Sequence, residues 1–138
     1  MENIVYIIIQ KEEDNLNIHY SKEDKLLVME ITEEIDHHTT EKIRRRADYE
    51  IQRYMPKKAL FDFNSVSFMD SSGIGMVVGR YKLLAMLGGT LELANVRPNL
   101  EKVFDMAGVL KIIPIHQQER KIANEWCLWK WNEVRVFK

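Results

Sequence analysis

The stretch Phe68-Met69-Asp70-Ser71-Ser72-Gly73-Ile74-Gly75 joins a strand-like segment to a helix-like one and sets two hydroxyls and a carboxylate at the junction. Upstream, Ala59-Leu60-Phe61-Asp62-Phe63 reads as a buried strand. Downstream, apolar residues recur at helical spacing until Gly88-Gly89 predicts a stop, and Thr90-Leu91-Glu92-Leu93-Ala94 reads as the next strand. A strand, helix, strand succession implies α/β layers.

Outward from this centre the same alternation continues. Leu16 to Tyr20 and Leu26 to Ile31 form a candidate strand pair around the polar turn Ser21-Lys22-Glu23-Asp24-Lys25. A helix is expected next, with capping-type Asp36, Thr39 and Thr40 ahead of Ile43, Ala47, Ile51 and Tyr54, and Pro56 beyond its end. Arg44, Arg45 and Arg46 fall on its solvated side. Pro98 opens a further helix with the apolar stripe Leu100, Val103, Phe104 and Ala107, capped by Gly108. Ile112-Ile113-Pro114-Ile115 is read as a last short strand, and the tail from Gln117 as helical, with Ile122, Trp126 and Trp129 on one face. The run Ile4 to Ile9 is read as an extra strand.

With 138 residues and no linker or repeat, one domain with one core is expected. Charged residues make up 30% of the chain yet cancel to a net −1, so no overall field draws it to nucleic acid or a membrane surface. The single Cys127 cannot form an internal disulfide, which fits a reducing compartment. The apolar start is only six residues long, against the ~20 that span a bilayer, and lacks the basic flank and cleavage site of a signal peptide. A cytoplasmic location is therefore expected.

The junction helix carries more apolar surface than one core face needs. At 100° per residue, Ile74, Val77, Val78, Tyr81, Leu84 and Ala85 fall within an arc of about 120°, the expected core side. The other side holds Gly75, Met76, Gly79, Leu83, Met86 and Leu87, flanked by Arg80 and Lys82. That second side is expected either to lie under another element of the chain or to be a docking surface. Ser71 falls at or next to the helix N-cap, where a hydroxyl or carboxylate satisfies free amides, a task Asp70 or Ser72 could share. Three such residues in a row exceed what a cap requires. A phosphate on Ser71 would add about −1.5 to −2 charges at the edge of the docking side, which makes a binding switch.

Other chemistries fit less well. Gly73-Ile74-Gly75-Met76-Val77-Val78-Gly79 has its third glycine one residue late for a dinucleotide fingerprint and no glycine in the preceding turn. The serines lack the G-x-S-x-G frame of a nucleophile elbow, although His37, His38 or His116 could supply a base. His37 and His38 are adjacent and diverge, so they do not make a metal site without further ligands.

Residues 68–75, continuing to Gly79-Arg80-Tyr81-Lys82, resemble the signature of the STAS domain, and more narrowly that of bacterial anti-sigma factor antagonists of the stage II sporulation type. Asp36-His37-His38-Thr39 and Phe104-Asp105-Met106-Ala107-Gly108 match two further segments of that subgroup at suitable separations. The resemblance covers about residues 16–125 of a single domain, with 1–12 as an added strand and 126–138 as a Trp-rich extension. It implies a mixed central β-sheet flanked by helices, no catalytic activity, no cofactor, and phosphorylation on Ser71.

By the same resemblance, the partner is a serine kinase that doubles as an anti-sigma factor. It is bound by the unphosphorylated antagonist and released once it has used ATP to phosphorylate it, and a serine phosphatase resets the cycle. Asp36, Asp70, Ser72, Gly75, Met76, Gly79 and Arg80 fall at the partner-binding positions. The alternative is a STAS scaffold or ligand-sensing module without a phosphorylation switch. The chain departs from the family at Glu33, where a glycine is usual, and in its two extensions. Trp126, Trp129 and Trp131 are expected to pack internally, leaving a monomer or weak dimer.

Overall fold

A computed structural model describes residues 15–116. The strands are β1 (Leu16–Ser21), β2 (Leu26–Ile31), β3 (Lys58–Asp62) and β4 (Thr90–Ala94). Helices α1 (His37–Tyr54), α2 (Ser71–Met86) and α3 (Pro98–Met106) alternate with them, and a 3-10 turn, Val109–Lys111, follows. The sheet order is β1-β2-β3-β4, with β1 antiparallel to β2 and the other pairs parallel. The expected mixed sheet flanked by helices is therefore present.

Two parallel steps in the same direction, each with a right-handed crossover, place α1 and α2 on one face of the sheet. Strand alternation sends Leu27, Met29, Ala59, Phe61, Leu91 and Leu93 into that face, where they meet Ile43, Ala47, Ile51, Val77 and Leu84 in one apolar cluster. α3 adds Leu100 and Phe104, the latter edge-on to Phe63 with ring centroids 5.5 Å apart. Gly89 is needed where α2 turns into β4, because a Cβ there would lie 2.7 Å from the Pro56 carbonyl oxygen.

The buried side of α2 keeps Val77 and Leu84 of the arc expected, with Ile74, Val78 and Tyr81 packed against the core, but is shifted towards Met76 and Arg80. Gly73, Met76, Val77, Arg80 and Leu84 are buried, whereas Ala85 is exposed and Ile74, Val78 and Tyr81 are half-buried. A helix apolar on all sides cannot be oriented by hydrophobicity, so other contacts decide. Gly73 packs on Met69 and Ile35, and the Arg80 guanidinium Nε lies 2.7 Å from Asp48 Oδ1 on α1, an ion pair inside the helix–helix contact. Arg80 also donates to the Met76 carbonyl at 3.3 Å. Burial pushes the guanidinium down from its ordinary value while Asp48 pulls it up, yet an arginine stays charged.

The strand expected over Ile112–Ile115 is reduced to a single parallel bridge between Ile115 and Leu93. The chain is first taken up in the 3-10 turn, and Pro114 accepts from the Leu93 amide at 3.0 Å but has no N–H to extend the ladder. Ala107, expected in the stripe of α3, is an exposed C-cap residue. The strand expected at Ile4 to Ile9 and the Trp-rich tail lie outside the described residues.

The observed face of α2 is open to a direct comparison. Leu84→Ala should cost about 2–5 kcal/mol, and Met86→Ala, at a residue 82% exposed, should stay within about 0.5 kcal/mol. Urea unfolding midpoints of the two variants check this, and equal costs would mean the helix is rotated from its observed setting.

Candidate functional site

Two helix N-termini are held side by side by a pair of backbone hydrogen bonds. Ile35, just before α1, donates its amide to the Phe68 carbonyl at 3.1 Å, and Asp70, just before α2, donates to the Ile35 carbonyl at 3.1 Å. This isolated parallel bridge between Ile35 and Met69 continues the β2–β3 pairing beyond the sheet, so the residues that follow it, Asp36 and Asp70, become neighbouring caps. Gly73 allows the approach: a Cβ there would collide with the Met69 side chain and lie 3.1 Å from Ile35 Cγ2.

Each aspartate caps its own helix through one carboxylate oxygen. Asp36 Oδ1 accepts from the amides of His38 (2.8 Å) and Thr39 (2.9 Å), and Thr39 Oγ1 accepts from the Asp36 amide at 2.9 Å, completing a capping box. Asp70 Oδ1 accepts from the Ser72 amide at 2.9 Å and from the Ser72 hydroxyl. Asp70 is thus the cap, and Ser71 is the first helical residue. Ser71 is exposed, and among the described residues nothing hydrogen-bonds its hydroxyl.

The loop leading to Ser71 is fastened on both sides. Glu34 accepts from the Ser67 amide at 2.8 Å and from the Ser67 hydroxyl. From the other side Arg97 donates to the carbonyls of Val66 (3.2 Å) and Asn64 (3.1 Å), and Asn99 to that of Ser67 (3.0 Å). Phe68 stands out of this loop, 55% exposed, three residues before Ser71. Beyond Ser71, added Cβ atoms at Gly75 and Gly79 would meet nothing within 4 Å, so the helix surface there is open.

The STAS-domain profile matches residues 17–122. An anti-sigma F factor antagonist of Paenibacillus polymyxa is 36% identical over 111 residues, covering 80% of this chain and 95% of that protein. The chain belongs to the STAS-domain family of anti-sigma factor antagonists. Two solved structures extend the likeness, both at 29% identity over 79% of this chain. The anti-sigma factor antagonist SpoIIAA in its unphosphorylated form aligns with a TM-score of 0.65 over 94% of its length. The Bacillus cell fate determinant SpoIIAA in the phosphorylated form aligns at 0.59 over 97%.

Within this STAS domain the candidate site residues separate into layers. Asp36, Asp70, Ser71, Ser72 and Gly75 gather at the paired helix ends or on the first turn of α2, and half-buried Gly79 lies one turn further along. Met76 and Arg80 do not stand on that surface. Both are buried, Arg80 against Asp48 of α1, so they support the helix from beneath. Glu34, Ser67, Arg97 and Asn99 were not singled out from the sequence. Their contacts join residues 31 to 33 positions apart, a range at which no local pattern speaks. Among the described residues, no group of three His, Cys, Asp or Glu converges as a metal site, and no helix is long and apolar enough to cross a membrane.

The hydrogen bonds at these caps also set an acid limit. The Thr39 amide holds the Asp36 carboxyl below its ordinary value, and the Ser67 hydroxyl does the same for Glu34. A depressed carboxylate stabilises the fold above its unfolded pKa, and that contribution is lost as the pH falls through the folded value. Urea midpoints should therefore be level above about pH 5 and decline below about pH 4. Asp36→Asn with Glu34→Gln should flatten the decline, since asparagine still caps; an unchanged decline would place the acid sensitivity elsewhere.

Proposed function

We propose that this antagonist binds an anti-sigma factor serine kinase while Ser71 is unphosphorylated and is released when the kinase, using ATP, phosphorylates Ser71. A serine phosphatase returns it to the binding form, and the cycle controls sigma-factor-dependent transcription in the cytoplasm. The antagonist itself has no catalytic role. The observation that carries this reading is the state of Ser71: exposed at the first position of α2, with capping done by Asp70 and the Ser72 hydroxyl already engaged. A hydroxyl with no structural task, on a fastened loop, is a suitable phosphoryl acceptor. The relatives support it, because SpoIIAA is described in both an unphosphorylated and a phosphorylated form.

Magnitudes support a position for Ser71 inside the contact. Driving a complex from almost wholly bound to almost wholly free takes about 5.5 kcal/mol. Losing one exposed ion pair supplies ~0–1 kcal/mol, whereas a dianion buried without a partner supplies several. The docking surface therefore includes Asp36, Asp70, Ser71 and Ser72, exposed Phe68, and the open helix surface at Gly75 and Gly79, with Met76 and Arg80 fixing that surface from below. Glycines there allow a partner's backbone to approach closely.

Two measurements test the proposal. Incubated with its kinase and ATP, wild type should gain one phosphoryl group by intact mass and Ser71→Ala none, while Ser72→Ala should still be modified. Ser71→Ala should retain the kinase in pull-down and Ser71→Asp should lose it; equal capture by both would favour a scaffold without a switch. Separately, Gly75→Ala and Gly79→Ala should each raise stability by about 0.5–1 kcal/mol, having room for the methyl, yet weaken kinase binding. Undiminished binding would remove these glycines from the interface.

A further inference from the structure

The face of the sheet away from α1 and α2 carries buried apolar residues that no described helix covers. Register aligns His19, Val28, Leu60 and Glu92 in one row across all four strands, and alternation points this row opposite to the apolar cluster under the helices. Val28 and Leu60, in the middle of the row, are 0% and 1% exposed, yet neither belongs to that cluster. Their described neighbours on this face include Glu30, Lys58 and Asp62, with Lys58 paired to Glu92 at 3.0 Å. Such side chains rim an apolar strip, but complete exclusion of water from its centre calls for an apolar cover.

The chain leaves the described structure at the edge of this face. His116 donates its amide to the Leu93 carbonyl at 2.6 Å, and its Nδ1 lies 2.7 Å from Glu92 Oε1, in the same row as Leu60. The 22 residues that follow, 117–138, contain all three tryptophans of the protein, at 126, 129 and 131. As a helix they would reach about 33 Å, against about 14 Å across four strands. A segment tethered at the rim also has a high effective concentration there, which a second copy lacks.

We propose that the Trp-rich segment 117–138 lies across the helix-free face of the sheet and covers Val28 and Leu60, forming a second apolar layer opposite α1 and α2. The Ser71 site, at the paired helix N-termini, stays free of it. The proposal does not rest on the phosphorylation reading.

The test uses the full chain with Cys127→Ala and Lys130→Cys, carrying a nitroxide on the new thiol, with isotope-labelled methyl groups. Methyl spectra with the nitroxide reduced confirm the fold; should this variant not fold, Asn132→Cys takes its place. The expected result is that Val28 and Leu60 methyls lose most of their intensity at low protein concentration while those of Val77 and Leu84 keep theirs. Loss appearing only when nitroxide-bearing unlabelled chains are mixed with isotope-labelled chains without nitroxide would assign the cover to a second copy and overturn the proposal. Loss at Val77 and Leu84, or at no methyl, would overturn it as well, the latter turning attention to the run Ile4 to Ile9.

Discussion

The site depends on two hydrogen bonds, Ile35 N–H to Phe68 C=O and Asp70 N–H to Ile35 C=O. Parallel strands β2 and β3 have already diverged into their crossover connections when this bridge ties them once more. Its consequence is geometric: each chain turns from the bridge directly into a helix, so the N-termini of α1 and α2 emerge as neighbours with their aspartate caps beside one another. Two positive helix ends in proximity are mutually unfavourable, and a carboxylate on each offsets the field. The pair of caps is thus an electrostatic requirement of the bridge as well as a local one.

Everything else around Ser71 acts to keep that bridge in register. Gly73 lets the first turn of α2 close over Met69 and Ile35, Glu34 holds Ser67 from the α1 side, and Arg97 and Asn99 hold the same loop from α3. Further along, Arg80 and Asp48 lock α2 to α1. A buried ion pair contributes little net stability, but removing one partner leaves the other charge uncompensated, so it specifies one rotation of α2 about its axis. That rotation decides which residues α2 presents to solvent, and it leaves Gly75 and Met86 outside and Met76 inside.

This division explains what was legible in the sequence. Short apolar strand runs, the capping-type residues Asp36, Thr39 and Thr40, Pro98 opening α3 and Gly88-Gly89 closing α2 are local signals, and each of those elements stands where they place it. The junction as a site was legible too, because three polar residues in a row exceed one cap's needs. The face of α2 was legible in part: Val77 and Leu84 lie in the core and Ile74, Val78 and Tyr81 pack against it, but burial of Met76 and Arg80 depends on contacts such as that of Arg80 with Asp48, 32 positions away. The last strand was not legible, since its fate turned on Pro114 lacking the amide a ladder needs.

On the proposed reading, a phosphate on Ser71 would act on binding and leave the fold intact, for reasons contained in the same geometry. At the first position of α2 it meets the positive end of the helix, so for the isolated domain the added charge is close to neutral or favourable. The neighbouring carboxylates of exposed Asp36 and half-buried Asp70 oppose it, but water and salt screen that repulsion. In a complex that covers Ser71 the screening water would be displaced while the Ser72 amide is still held by the Asp70 cap, and a dianion facing no cation of the partner would be left uncompensated. The penalty thus arises almost wholly in the bound state. A loop fastened from both sides around one exposed hydroxyl gives such a charge change no reason to alter the shape of the domain.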